Sequence, residues 1–291
     1  MVEKYDFNKD KRKKFVSLVL AQEKDLDDLM QDTQDDFDNV IERNSRQDKI
    51  NDKDSVISDT RPVLEDWQIA FSSILLSFGL KTAKVVGSTE VKKVDNYYNN
   101  KNFNNSIKQS YTVEYSRLED KYFTIKNPVD GLSIGDRIKS IRGDFLKTTR
   151  DIIEVGIKNN LGAKEIAKQI DNLVNPSEDV KWIGPFDWVR KRFGYEPNKS
   201  IDRRAGSISY NSFRIARTEI ADTYRRFTIR LHRGQKWIKG FEWQLSAGHP
   251  FTDICDDYDG KIFKDETDLP VTHPNCLCNV VPVLAEPDEL G

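Results

Sequence analysis

The chain has 291 residues, of which 32% are charged and 37% hydrophobic, with a mean hydropathy of −0.67. That is enough apolar material for two or three domains, but it leaves an extensive polar surface of the kind long helices present. A formal net charge of −2 excludes a chain-wide basic nucleic-acid binder, and three cysteines exclude a disulfide framework. The start, MVEKYDFNKDKRKKF, has no signal-peptide core, and the best apolar run, IAFSSILLSFGL at 69–80, is too short and polar to span a bilayer. A protein made in a reducing cytoplasm, with no membrane partner, is the expectation.

Residues 10–45 carry Phe15, Leu18, Val19, Leu26, Leu29, Met30, Phe37 and Ile41 at helical spacings. A long amphipathic helix follows from that, with a basic cluster at 9–14 and an acidic run at 25–38 on its solvated faces. Residues 43–62 read as a loop. A second helix is expected over about 62–80, with Pro62 in its first turn. The Asn-rich 96–105 reads as a loop or a poorly capped helix end, and helical pattern resumes near 106–120.

From 130 to 174 the pattern is that of a helical hairpin. Ser133 can cap the first helix, Ile138, Ile141, Phe145, Ile152, Ile153 and Ile157 form its stripe, Gly162 ends it, and AKEIAKQIDNL begins the second. Residues 176–200 break the rhythm with two prolines, several aromatics and Arg190, Lys191 and Arg192. They read either as an inserted loop that docks on a partner or as a loop folded on its own core. A long helix is expected over about 205–232. Its apolar stripe is Phe213, Ala216, Ile220, Tyr224, Phe227 and Leu231; Arg214, Arg217, Arg225, Arg226 and Arg230 occupy its other faces, and Arg233 follows. Strands are expected at 241–246, 260–263 and 278–283, with Asp259-Gly260 as a turn.

The fold class is therefore mainly α, with long helices and helical hairpins followed by a small C-terminal α+β domain for which zinc is a candidate stabiliser. The expected division is a helical N-terminal arm over 1–125, serving assembly; a helical core over 126–234 with the aromatic insert; and a small Cys/His domain over 235–291.

The Cys/His domain concentrates the chemistry. His249, Cys255, His273, Cys276 and Cys278 are five soft ligands in the last few dozen residues. Thiolate and imidazole are what a tetrahedral zinc site uses, and a small domain with a thin core gains much from one. Cys276 and Cys278 can share an ion only if the backbone turns between them, since side chains alternate along a flat strand. Thiols packed as small hydrophobes, or a disulfide from Cys255 to Cys276 or Cys278, are the alternatives. CDDYDGKIFKDE at 255–266 also approximates a calcium loop, with Cys255 in place of its first carboxylate. No HExxH, P-loop, GxGxxG or nucleophile elbow occurs, so no catalytic residue is assigned.

ARTEIADTYRR at 216–226, FEWQLS, DICDDYDGKIF, THPNCLC and a final VVPV, in that order, resemble the phage Mu F-like head morphogenesis (minor head protein) family. The helical 130–174 segment is similar to what precedes that signature, so the resemblance covers about 130–283. Many members carry Cys-x-x-Cys where this chain has Cys255 and then Tyr258, a departure that weakens the zinc assignment unless His249 takes over as ligand. The resemblance implies a minor structural protein of a tailed-phage head, inside the capsid at the portal vertex and in the host cytoplasm during assembly. It implies portal protein, capsid or scaffolding protein, and packaged DNA as partners. Arg217 and Glu219, in ARTE, are the signature pair, with a structural role in tying their helix to the C-terminal domain.

The basic helix offers Arg214, Arg217, Arg225, Arg226, Arg230 and Arg233 for contact with DNA or an acidic portal surface, unless Glu219, Asp222 and nearby acids neutralise them within the fold. Two other classes compete. One is a metal-dependent nuclease or toxin-like enzyme built on His249, Asp253, His273 and the acidic DDYD; the other is a zinc-ribbon-like nucleic-acid binder.

Overall fold

The computed structural model describes residues 7–50, 52–126, 131–174, 208–246, 253–270 and 276–290. Among them are six α-helices and five short strands, so the protein is mainly α with a small C-terminal strand region. The aromatic insert at 176–200, His249 and His273 lie outside the described residues.

Helix α1, Phe7–Arg43, buries Phe15, Val19, Leu26, Met30, Phe37 and Ile41, six of the eight positions that its periodicity marks. The loop expected at 43–62 is mostly absent. After α1 come two-residue strands β1, Ser45–Arg46, and β2, Lys49–Ile50, joined by a turn whose central residues Gln47 and Asp48 both have positive φ. Helix α2 then runs from Lys53 to Tyr98, far beyond the expected 62–80 at both ends. Its start is capped by Asp52, whose carboxylate accepts the Asp54 N–H at 2.9 Å.

Pro62 therefore lies inside α2 rather than in its first turn. Interior proline costs about 3 kcal/mol. Val56, Ile57, Leu64, Trp67, Phe71, Leu75 and Phe78, all buried at helical spacing, outweigh that cost by burial. By length and composition alone α2 could also cross a membrane. This row of buried side chains gives it one face packed in the core, with 39% of its most apolar window buried.

The Asn-rich stretch is a junction. Asn99 takes a left-handed φ of 47° after α2, and Asn100 accepts the N–H groups of Asn102 and Phe103 at the start of α3, Lys101–Lys121. Helix α4, Ile134–Lys158, and α5, Ala163–Val174, form the expected hairpin. Its stop differs in detail. Asn160, at φ 55°, ends α4, with Leu161 N–H donating to Gly156 O and Asn160 N–H to Ile157 O. Gly162 instead allows Asp48 to come close: a Cβ there would collide with the Asp48 carboxylate. Asp48 caps α5, accepting the Ala163 N–H on its carbonyl at 2.7 Å and the Lys164 N–H on its carboxylate at 3.0 Å.

Helix α6, Ile208–His232, leads into the sheet. Strands β3, Ile238–Gln244, β4, Ile262–Phe263, and β5, Asn279–Leu284, form an antiparallel sheet in the order β4-β3-β5, with Trp243 opposite Val280 and Phe241 opposite Phe263 and Pro282.

The chain divides into two compact units. One gathers the chain up to Ala21, Leu75–Ile134 and everything from Ala216; the other gathers Gln22–Ile74 and Gly135–Ile215. In the first, Phe15 packs on Tyr224, and Arg12 donates to the Leu245 carbonyl at 2.8 Å. A small cluster of Val94, Ile107 and Trp237 joins α2, α3 and the sheet.

Candidate metal centre

The three cysteines converge. Cys255 precedes a 3-10 turn at Asp256–Tyr258, and Cys276 and Cys278 immediately precede β5. Neither of the latter pair lies in a strand, so strict alternation does not separate them. All three are buried and their sulfurs lie within 4.8 Å of one another, with 3.6 Å between Cys255 and Cys276. Sulfurs around one tetrahedral zinc at about 2.3 Å stand roughly 3.8 Å apart, so the group fits a metal ion. The sulfurs are unbonded thiols, and 3.6 Å is far beyond a disulfide bond of about 2 Å.

The cluster is part of a core. Ile229, Phe241, Trp243 and Val280 pack with the thiols, and Tyr258 and Phe263 close over them. Contact with Cys276 and Cys278, then burial, pushes the Cys255 thiol far up. Cys278 is pulled down by Cys255 but lifted more by Cys276 and burial, and stands at about 11. Three crowded thiols in an apolar pocket resist ionising because each thiolate would repel the next; a bound cation reverses that.

The acidic loop is structural. Asp253 accepts the Cys255 N–H at 2.7 Å, Asp256 accepts the Asp253 N–H at 2.6 Å, and Asp259 accepts the Leu245 N–H at 3.2 Å. Gly260, at φ 74°, makes the turn before β4. Among the described residues the three cysteines are the one group of metal-type side chains gathered this closely. The carboxylates of the calcium-like stretch form no such group among the described residues.

The arginines of α6 are mostly not a free basic face, which corrects the expectation for most of them. Arg225 is wholly buried; its Nη1 donates to the Cys278 carbonyl at 2.7 Å, and its guanidinium lies 5.9 Å from the Trp243 ring. Arg217 is buried as well, at 2% exposure. Neither can reach a phosphate or a portal surface without unfolding its surroundings. Arg226 bonds Asp222 at 2.5 Å, Arg230 grips the Glu266 carboxylate through two nitrogens, and Arg233 pairs with Asp265 at 2.9 Å. Arg214 is half-buried. Glu219 is buried near Tyr122, whose hydroxyl is held well above its ordinary value by burial first and then by that carboxylate's charge. Of the acids expected as a competing explanation, Asp222 pairs with Arg226, while Glu266 and Asp265, not singled out in the sequence, pair with Arg230 and Arg233.

A second cluster escaped the sequence reading. Lys11, Glu90 and His232 are all buried, with Lys11 Nζ bonded to Glu90 Oε1 and His232 Nε2 3.1 Å from Glu90 Oε2. Burial disfavours the Lys11 charge, but Glu90 and Tyr224 more than offset it and hold the ammonium above its ordinary value. Burial likewise pushes Glu90 up, and Lys11, His232 and Lys93 together pull it well below the usual carboxylate range. Burial keeps His232 neutral and below its ordinary value. Nothing in the spacing of positions 11, 90 and 232 signals this meeting.

What the structure defines is a class: a mainly α protein whose small C-terminal sheet is organised around three buried thiols capable of holding a metal ion. No protein-family model matches the chain, and neither any curated protein nor any solved structure does.

Proposed function

We propose that this chain is a minor structural protein of a tailed-phage head. In this reading it joins the portal vertex during assembly, with portal protein and capsid or scaffolding protein as partners, and it has no catalytic role. Its C-terminal domain is stabilised by zinc held by Cys255, Cys276 and Cys278. His249 and His273 supply the candidates for a fourth ligand.

One observation carries the reading. The motifs that resemble the minor head family are dispersed over 216–283, yet their residues meet in one core: Arg225 of the ARTE helix holds the Cys278 carbonyl, while Phe241, Trp243, Cys255, Cys276 and Val280 pack together. A signature that specifies one packed unit is what a structural module requires. The nuclease alternative loses support, because Asp253, Asp256 and Asp259 each accept a backbone N–H group. DNA contact through these arginines is not part of the proposal, since Arg217 and Arg225 are buried and Arg230 and the exposed Arg233 are paired within the chain.

The test is co-expression with the portal protein of the same phage, followed by co-purification and elemental analysis of the complex. A stable complex carrying about one zinc per chain supports the proposal. A metal-dependent nuclease activity in the isolated chain, with no portal association, overturns it.

A further inference from the structure

We infer that Arg225 is the positioning residue and counter-ion of the metal centre; this rests on the metal reading above. Its guanidinium is wholly buried, and a fully buried cation persists only where something compensates it. The compensation visible around it is partial. Asp222 Oδ1 lies 3.4 Å from Nη2, while the other oxygen of the same carboxylate is committed to Arg226 at 2.5 Å. The Arg225 Nε has no hydrogen-bond partner among the described residues. Its shortest bond, 2.7 Å from Nη1, goes to the carbonyl of a metal-ligating residue, Cys278.

Charge arithmetic supplies the missing partner. Three thiolates around a divalent cation leave one negative charge buried beside Trp243 and Val280. A neutral fourth ligand such as imidazole leaves that charge unchanged. Arg225 is the buried cation bonded to this cluster, so the loaded centre and the guanidinium neutralise each other. Geometry adds a second role. By holding the Cys278 carbonyl from α6, Arg225 fixes the backbone turn that lets Cys276 and Cys278 face one ion. Outer-shell partners of this kind typically change metal affinity by about 10–100-fold when removed.

The experiment uses the full chain, titrated with Co(II) and followed by its thiolate charge-transfer absorption, then back-titrated with Zn(II) against a chelator of known affinity. The variants are Arg225→Met, Arg225→Lys and, as a surface control, Arg233→Met. Wild type is expected to bind one equivalent. Arg225→Met is expected to bind about 10–100-fold more weakly, Arg225→Lys to fall between because it keeps the charge but not the fork, and the control to match wild type. Wild-type affinity in Arg225→Met overturns this inference and leaves the metal reading intact. A wild-type chain that binds no Co(II) overturns the metal reading itself, and the inference with it. If Arg225→Met does not fold, Arg225→Lys decides: unchanged affinity there overturns the positioning role.

Discussion

The helical hairpin of α4 and α5 and the C-terminal sheet are organised by different means. The hairpin buries Ile138, Ile141, Phe145, Ile153, Ile166, Ile170 and Val174 along two continuous stripes, and it closes where Gly156 brings the helices together against Ile166. The sheet has one strand of seven residues, one of six and one of two. It buries Phe241, Trp243 and Val280 against Ile229 of α6, and to that core it adds three thiols, a buried arginine and ion pairs from Arg230 and Arg233 to Glu266 and Asp265. Burial proportional to area secures the first; in the second, specific chemistry is added to burial.

If the three thiols hold zinc as proposed, the strongest way to break this contrast is to remove it. Cys276→Ser, or chelation of wild type, should abolish zinc content and unfold the C-terminal sheet, while most of the helical far-UV signal survives. Structural zinc contributes up to about 10–16 kcal/mol in small zinc domains, so the effect should dominate all others. The near-UV signal of Trp243 and the zinc content report it. A zinc-free protein with an unchanged thermal transition would sink the idea.

The buried ion pair is the next largest lever. Glu90→Gln leaves Lys11 buried without its counter-charge, a change that typically costs about 3–5 kcal/mol. Denaturant unfolding measures it. The same geometry bears on the first helix. The sequence reads 1–125 as an assembly arm, but a deletion of 1–45 that takes Lys11 also strips Glu90 of its partner. Such a truncation is therefore expected to destabilise the unit containing Ala216 onward, rather than leave it folded.

The pH dependence follows with its sign fixed by direction. His232 is held neutral in the folded state, with its affinity for protons lowered by burial despite Glu90 and further opposed by Lys93 and Lys11. The unfolded chain takes that proton below about pH 6.5, so stability falls as pH drops through that point, at up to about 1.4 kcal/mol per pH unit. Glu90, depressed in the folded state, adds a second loss below about pH 4.5. His232→Gln should flatten the first phase and leave the second. An unaltered pH profile in that variant would remove His232 from the account.

How legible was this in the sequence? Helices with continuous apolar stripes were: α1, the α4–α5 hairpin and α6 lie close to where periodicity places them. Helix α2 was misread because Pro62 and the polar run before it outweigh, locally, a burial pattern that only tertiary packing reveals. The thiol cluster was legible because its members are rare residues crowded into a short span. The Lys11–Glu90–His232 cluster was not, since its members are common residues at remote positions. The α6 arginines were misjudged for a related reason. Charge along a helix says nothing about burial, and Arg225 and Arg217 are among the most enclosed side chains in the protein.

The smallest expected effect sharpens the comparison from the other side. Arg233 pairs with Asp265 at the surface, with the arginine side chain 53% exposed. Neighbouring Arg230 grips Glu266 with its own side chain only 9% exposed. Both pairs clamp α6 to the same turn, and a count of salt bridges would weight them equally. Solvent screens the outer pair, so Arg233→Ala should cost less than about 1 kcal/mol and lose even that in high salt. Arg230→Ala should cost more, because Glu266 is only 17% exposed and would keep its charge with its two donors removed. Thermal denaturation of the two variants at low and high salt separates the cases. Equal losses in both would mean that the turn at Glu266–Asp268 depends on net charge rather than on the partly buried bidentate grip, and the sheet would then rest on its thiols and its apolar core without that grip.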